Sequence, residues 1–239
     1  MYYTSPVASD HLRRCIGVAV SSSPVGPFRT PEQHTEPIVC PPDSVIAIDP
    51  ASWVDPQDNS RYLLYGLREK IEGKKKVKNS IMLQQLSPDG LSKTKEDPQE
   101  LINADNSAGS VIGSPSLIRV GDKYILLYSI YPWNTIEYTV SVATAKKLKG
   151  PWVKQHIQVI DTARLQSEHD KQNVAPGGAD VLLGTDSIRD VDGDGKVIRI
   201  VFHAATDKEI EKRRLWTANV IVKDGQVRLN GDITGGAIE

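Results

Sequence analysis

Val140-Ser-Val-Ala-Thr144, followed after a short polar turn by Leu148-Lys-Gly150-Pro151-Trp152, repeats an earlier stretch of the same chain. There, Ile16-Gly-Val-Ala-Val-Ser21 leads to Pro24-Val-Gly26-Pro27-Phe28. Each copy reads as a strand, a turn, then Gly-Pro-aromatic. Tyrosine-led runs recur as well: Tyr2-Tyr3-Thr4-Ser5, Tyr62-Leu-Leu-Tyr65 and Tyr124-Ile-Leu-Leu-Tyr128-Ser129. The last two are spaced by roughly 60 residues, the period of a supersecondary unit built from short antiparallel strands. Such a unit suits a propeller blade, which buries its faces against its neighbours and collects active groups where the innermost strands converge. A β-sandwich with chance internal similarity is the alternative.

The flanking sequence is equally rich in strands. Arg61-Tyr-Leu-Leu-Tyr-Gly66, Lys123-Tyr-Ile-Leu-Leu-Tyr-Ser129 and Val197-Ile-Arg-Ile-Val-Phe-His203 are β-rich runs, each preceded by a turn. The turns are Asp55-Pro-Gln-Asp-Asn59, Val120-Gly-Asp122 and Asp192-Gly-Asp-Gly195. Second strands follow at Ser80–Gln85, Tyr138–Ala143 and Leu215–Val222. No stretch carries a long, capped helical period. The reading is an all-β chain forming one domain over residues 1–239.

Composition excludes several classes. Apolar residues make up 39 % and charged residues 25 %, as in ordinary globular proteins. A net charge of −1 supplies no positive field for nucleic acid or an acidic membrane surface. The run Lys74-Lys75-Lys76 with Lys78, beside Gly73, reads as a solvated loop. No apolar run approaches a membrane span, and Met1-Tyr2-Tyr3 enters a strand-like segment directly, without the basic-then-apolar pattern of a secretory leader. Cys15 and Cys40 are either two buried thiols or one disulfide, and form no zinc pattern. Asp190-Val-Asp-Gly-Asp-Gly195 opens like a calcium loop, but Val201 stands where the bidentate Glu belongs, so it reads as a β-turn. Gly177-Gly178 lacks the Lys-Ser/Thr of a phosphate loop, and Asp180-Val-Leu-Leu183 reads as the next strand.

The ordered set Tyr2-Tyr-Thr-Ser, Cys15-Ile-Gly-Val-Ala, Gly26-Pro-Phe, Ala47-Ile-Asp-Pro50, Arg61-Tyr-Leu-Leu-Tyr, Ser114-Pro-Ser-Leu117, Val140-Ser-Val-Ala-Thr, Gly150-Pro-Trp, Ala175-Pro-Gly-Gly-Ala-Asp180 and Phe202-His-Ala204 resembles glycoside hydrolase family 43 over nearly the whole chain. The match looks closest to arabinanases, arabinofuranosidases and β-xylosidases. The resemblance implies a five-bladed β-propeller that cuts arabinose- or xylose-containing plant polysaccharide with inversion. It further implies a secreted monomer whose partner is an oligo- or polysaccharide, with no nucleic-acid or membrane partner. A structural calcium ion on the propeller axis is the one cofactor it admits, and no residue is assigned as a metal ligand.

Inverting hydrolysis requires a carboxylic acid and a carboxylate base roughly 6.5–9.5 Å apart. In the family a third carboxylate tunes the acid, and the resemblance assigns it to Asp49, which otherwise reads as a turn residue before Pro50. The acid, normally a Glu in a Glu-small-Pro-Ser-Leu segment, falls on Gly113 of Val111-Ile-Gly-Ser-Pro-Ser-Leu117. Glycine has no proton to give, and the neighbouring Ser114 hydroxyl is far too weak an acid. The base, an Asp ahead of the Tyr-Tyr segment, falls outside these residues, as does most of a first blade. The expected outcome is a glycosidase impaired on natural polymers, or a propeller that binds sugar without cutting it.

Four further residues receive substrate-binding roles by the same resemblance. His203 matches an axial histidine that in the family often contacts a metal ion or its waters, and Arg214 an arginine reaching the sugar pocket, with Arg213 the other arginine that could turn inward. Trp133, on the loop Tyr131-Pro-Trp-Asn134, and Trp53 are candidate sugar platforms, with Tyr131 beside them. Packing between strands is the plainer role for any one of these aromatics.

Overall fold

The computed structural model describes residues 1–42, 45–70, 77–104, 111–156, 158–168, 173–182, 188–191, 195–206, 209–223 and 225–235. The chain divides into two compact units, Met1–Ala104 and Asp105–Glu239. Lys74–Lys76 with Gly73 fall outside the described residues, whereas Lys78 lies within them and pairs with Glu100 at 2.7 Å.

In the first unit, β1 (Tyr2–Val7) and β2 (Asp10–Val18) form an antiparallel ribbon. Strands β3 (Val45–Val54), β4 (Arg61–Lys70), β5 (Val77–Gln85) and β6 (Gln99–Asn103) make a four-stranded antiparallel sheet in chain order. The turn after β3 forms because aspartate side chains cap backbone donors two residues on. Asp55 Oδ1 accepts from Gln57 N at 2.9 Å, and Asp58 Oδ1 accepts from Ser60 N at 2.8 Å. Ile16 and Val18 of the ribbon pack with Ala47, Leu63, Tyr65 and Leu86 in one core. Cys15 and Cys40 are joined by a disulfide, which closes the alternative left open by the sequence.

In the second unit, β7 (Ile112–Val120), β8 (Lys123–Ile130), β9 (Thr139–Ala145) and β10 (Val153–Lys154) form a second four-stranded antiparallel sheet. A short helix α1 (Thr162–Glu168) leads to β11 (Asn173–Val181), β12 (Ile188–Val191), β13 (Gly195–Thr206), β14 (Glu209–Lys223) and β15 (Gln226–Gly235). These five strands make the last sheet, ordered β11-β13-β14-β15 with β12 on β13. Val191 pairs with Gly195 of β13; residues 192–194, on which the choice between a turn and a calcium loop falls, lie outside the described residues. Period-two burial shows how the strands face the core. Along β14, Trp216, Ala218, Val220 and Val222 are buried while Thr217, Asn219 and Ile221 are less so. They meet Ile118, Ile125, Leu127, Val140 and Val142 from the other sheet.

The expected strands appear. Arg61–Gly66 lies in β4, Lys123–Ser129 in β8, Val197–His203 in β13, Ser80–Gln85 in β5 and Leu215–Val222 in β14. The strand expected at Tyr138–Ala143 starts one residue later and ends two residues later, since β9 runs Thr139–Ala145. The strand read at Asp180–Leu183 instead ends β11 at Val181, and Leu183 lies outside the described residues. The Gly-Pro-aromatic repeat is a structural repeat too, with Gly26 at φ 86° and Gly150 at φ 89°, each followed by a cis peptide bond to proline.

A second repeat emerges from the pairing. The first strand of each large sheet is interrupted at an X-Pro pair. On β3, Ile48 pairs with Gly66 and Ala51 with Leu64, so Asp49 and Pro50 oppose Tyr65 alone. On β7, Gly113 pairs with Ser129 and Ser116 with Leu127, so Ser114 and Pro115 oppose Tyr128 alone. On β11, Val174 pairs with Ala205 and Gly177 with His203, so Ala175 and Pro176 oppose Ala204 alone. Two residues against one is a β-bulge. Proline forces it, because it has no N–H for the ladder. The residue before each proline takes a left-handed backbone: Asp49 at φ 54°, Ser114 at φ 49°, Ala175 at φ 55°.

The disulfide yields a prediction. Its 25-residue separation stabilises the fold by about 3 kcal/mol through the entropy of the unfolded chain. The double variant Cys15→Ser/Cys40→Ser is expected to lose stability of that order in urea unfolding. A midpoint equal to that of the oxidised wild type would contradict it.

Candidate functional site

The three bulges place the candidate carboxylate and the candidate acid position at non-equivalent points of the repeat. Asp49 is the bulge residue itself, half-buried on β3. Gly113 is the residue before the bulge on β7, buried, and corresponds in register to Ile48 and Val174. The serine beside it, Ser114, is the register counterpart of Asp49. Trp53, near the end of β3, is only 9 % exposed and tilts against Tyr62 at 5.7 Å between ring centroids. It lines a cavity of about 240 Å³ with Tyr2, Arg61, Tyr62 and Asp89.

In the second unit a compact cluster surrounds His203. This residue lies on β13, opposite Gly177 of β11 and Leu215 of β14. Arg213 of β14 donates from Nε to His203 Nδ1, and from one terminal nitrogen to the Ala175 carbonyl at the β11 bulge. Its other terminal nitrogen donates to the carbonyls of Trp133 at 3.0 Å and Ile210 at 3.5 Å. The guanidinium lies over the Tyr138 ring at 5.2 Å, and Tyr138 stacks on His203 at 6.2 Å and 18°. Cation–π contact of this kind favours the charge in a partly desolvated place.

Glycines make the cluster feasible. A Cβ at Gly177 would overlap the Tyr138 ring, and one at Gly178 would fall 2.4 Å from His203 Nε2. Gly178 also has φ +61°, a region that disfavours side chains. Its N–H donates to Ser129 Oγ at 2.8 Å, which ties β11 to β8. Thr162 accepts from Ala175 N at 3.0 Å and donates to the Ile136 carbonyl at 2.8 Å. The start of α1 thereby holds both the bulge and the loop that follows Trp133.

The resemblance matches Arg214 to the arginine of the sugar pocket and leaves open whether Arg213 or Arg214 turns inward. The structure turns Arg213 inward, while Arg214, one residue on and therefore on the opposite face of β14, is exposed. Trp133 is 48 % exposed and Tyr131 37 %. Tyr131 lines a cavity of about 550 Å³ with Tyr128, Trp152, Lys154 and Gln158. Tyr138, Ala175 and the glycine pair were not singled out as site residues from the sequence. The signal was present in the recurring X-Pro pairs, Asp49-Pro50, Ser114-Pro115 and Ala175-Pro176, which mark equivalent strands.

Burial, and then the Arg213 charge, pull the His203 pKa from 6.5 down to about 4. Below pH 6.5 the unfolded chain takes up a proton that the folded chain refuses until about pH 4. The stability owed to neutral His203 is therefore complete above pH 6.5 and is lost as pH falls toward 4. A His203→Gln variant is expected to show a flatter unfolding profile across that window. Parallel wild-type and variant profiles would refute the shift.

The chain is similar in structure to several solved glycosidases. A thermostable family-43 glycoside hydrolase superimposes with a TM-score of 0.75 at 24 % identity, covering 97 % of this chain and 70 % of that one. An endo-1,4-β-xylanase from Bacteroides thetaiotaomicron VPI-5482 gives 0.70 at 23 %, covering 97 % and 75 %. A Cellvibrio cellulosa α-L-arabinanase complexed with arabinohexaose gives 0.67 at 16 %, covering 96 % and 72 %. These likenesses establish a propeller-type all-β fold. No curated protein sequence matches the chain. The sequence profile of Glycosyl hydrolases family 43 matches residues 1–217, a span that takes in all three bulged strands and the His203–Arg213 cluster. By that match the chain belongs to glycoside hydrolase family 43.

Proposed function

We propose that the protein is an O-glycosyl hydrolase of the family 43 type, directed at arabinose- or xylose-containing polysaccharide and impaired in cleavage. The observation that carries this reading is the family match over residues 1–217 together with a glycine, Gly113, in the segment where the resemblance calls for the acid. In this reading residues 1–239 form one propeller domain of the five-bladed type. Asp49 acts as the pKa-modulating carboxylate. His203, Trp133 and Trp53 contribute to sugar binding, and secretion follows the habit of the family.

The chemistry sets the expected defect. Departure of an unactivated sugar alkoxide needs a proton in the transition state, and a positioned acid contributes about 10²–10⁴-fold. An aryl glycoside with a good leaving group needs little of that help. A second reading, binding without cleavage, is favoured by the organised cluster around His203 combined with the missing acid at Gly113.

Two expected outcomes test these readings. Gly113→Glu restores a carboxyl where the family carries one, and activity on arabinan or xylan is expected to rise at least about 10²-fold when the base is supplied within the protein. An unchanged rate in the folded variant, alongside wild-type turnover equal to that of an intact relative, would refute the impairment. Trp133→Ala is expected to weaken binding of arabino- or xylo-oligosaccharides roughly tenfold, about 1.4 kcal/mol, as measured by titration calorimetry. Undiminished affinity would remove Trp133 from the site.

A further inference from the structure

The arginine of the cluster is expected, by analogy, to grip sugar, and the histidine to face a metal ion or its waters. The geometry assigns neither role. A guanidinium carries five N–H donors, is always charged and accepts nothing. Arg213 directs donors to His203 Nδ1 and to the carbonyls of Ala175, Trp133 and Ile210. Its face is covered on one side by Tyr138. Little donor capacity is left for a ligand.

The consequence for His203 follows from valence. Nδ1 must offer a lone pair, because arginine cannot accept. A neutral imidazole with an accepting Nδ1 carries its proton on Nε2. Nε2 is then a donor, and it lies over Gly178, where a side chain would cover it. A cation at Nε2 would need that lone pair free. It would have to strip the ring to imidazolate or break the Arg213 bond, next to a fixed positive charge. Calcium also prefers six to eight oxygen ligands, whereas the residues that meet around this ring are arginine, tyrosine and glycine. The residues present do not fit a calcium ion held by His203.

We propose that Arg213 is a positioning residue that locks His203 as the neutral Nε2–H tautomer, making His203 a hydrogen-bond donor to an oxygen of a bound saccharide and not a cation ligand. The choice of saccharide rests on the functional reading above; the tautomer does not. Arg213 holds the Trp133 backbone at the same time, so one side chain sets both the donor and the loop bearing the candidate platform.

The test is a long-range ¹H–¹⁵N spectrum of the full chain, with His203 assigned by loss of its signals in His203→Gln. Near neutral pH, without sugar, wild type is expected to show a protonated Nε2 and a lone-pair Nδ1, unchanged by millimolar calcium chloride. Arg213→Met is expected to give a mixture of tautomers. Arg213→Lys, which also donates but cannot reach all four acceptors, is expected to restore much of the Nε2–H form. A purely structural role for Arg213 would leave the tautomer unmoved in folded Arg213→Met. An Nδ1–H ring in wild type, or a calcium-dependent shift at Nε2, would overturn the proposal, and both are read on wild type even if Arg213→Met fails to fold. Added arabino- or xylo-oligosaccharide is expected to shift the Nε2–H signal. An Nε2–H ring that ignores these sugars would overturn the saccharide donor role and the functional reading, while leaving the positioning by Arg213 in place.

Discussion

Proline cannot donate to a β-ladder, and that one deficiency is placed three times in this chain at the point that matters most. Pro50, Pro115 and Pro176 each sit in the first strand of a sheet, and each drives a two-against-one bulge. The strand bends, its twist rises, and the preceding residue is turned into a left-handed backbone. The candidate carboxylate Asp49 lies in one such bulge, and Gly113, the position the resemblance gives to the acid, lies beside another. The third bulge offers instead its Ala175 carbonyl, which Arg213 takes. A repeated backbone device thus carries different chemistry in each copy.

The second unit shows how such a device becomes a site. Arg213 links β14 to β13 through His203, to β11 through Ala175, and to the loop after β8 through Trp133. Its charge is tolerable because four acceptors and an aromatic face replace lost water. The same charge, with burial, keeps His203 neutral. Small residues at 177 and 178 are required for the rings to approach the backbone. Removing bulk and adding charge in adjacent strands produces a stacked, directional arrangement that no single strand contains.

Membership of a hydrolase family and possession of hydrolytic machinery are separate matters. A fold specifies where groups can stand, and the groups themselves decide the chemistry. Gly113 occupies a well-formed strand position, paired with Ser129 in regular register up to the bulge. The backbone at Gly113, the position the resemblance gives to the acid, is therefore built in the ordinary way, and glycine differs there only by carrying no side chain.

Much of this was legible in the residues alone. Period-two runs between Asp-, Gly- and Pro-rich turns gave the strands, because alternation and turn chemistry are local properties. The repeated tyrosine-led and Gly-Pro-aromatic segments gave the repeating unit, and the ordered motifs gave the family. Other matters needed the assembled chain. Whether Cys15 and Cys40 meet depends on the return of the loop between β2 and β3. Which of Arg213 and Arg214 turns inward depends on strand register, since a slip of one residue exchanges the faces. That Asp49, Ser114 and Ala175 are equivalent, and that Tyr138 and Gly178 enclose His203, depends on pairings between strands far apart in sequence. Local sequence fixes what a segment prefers; only tertiary contact decides which neighbours satisfy a given donor, charge or ring.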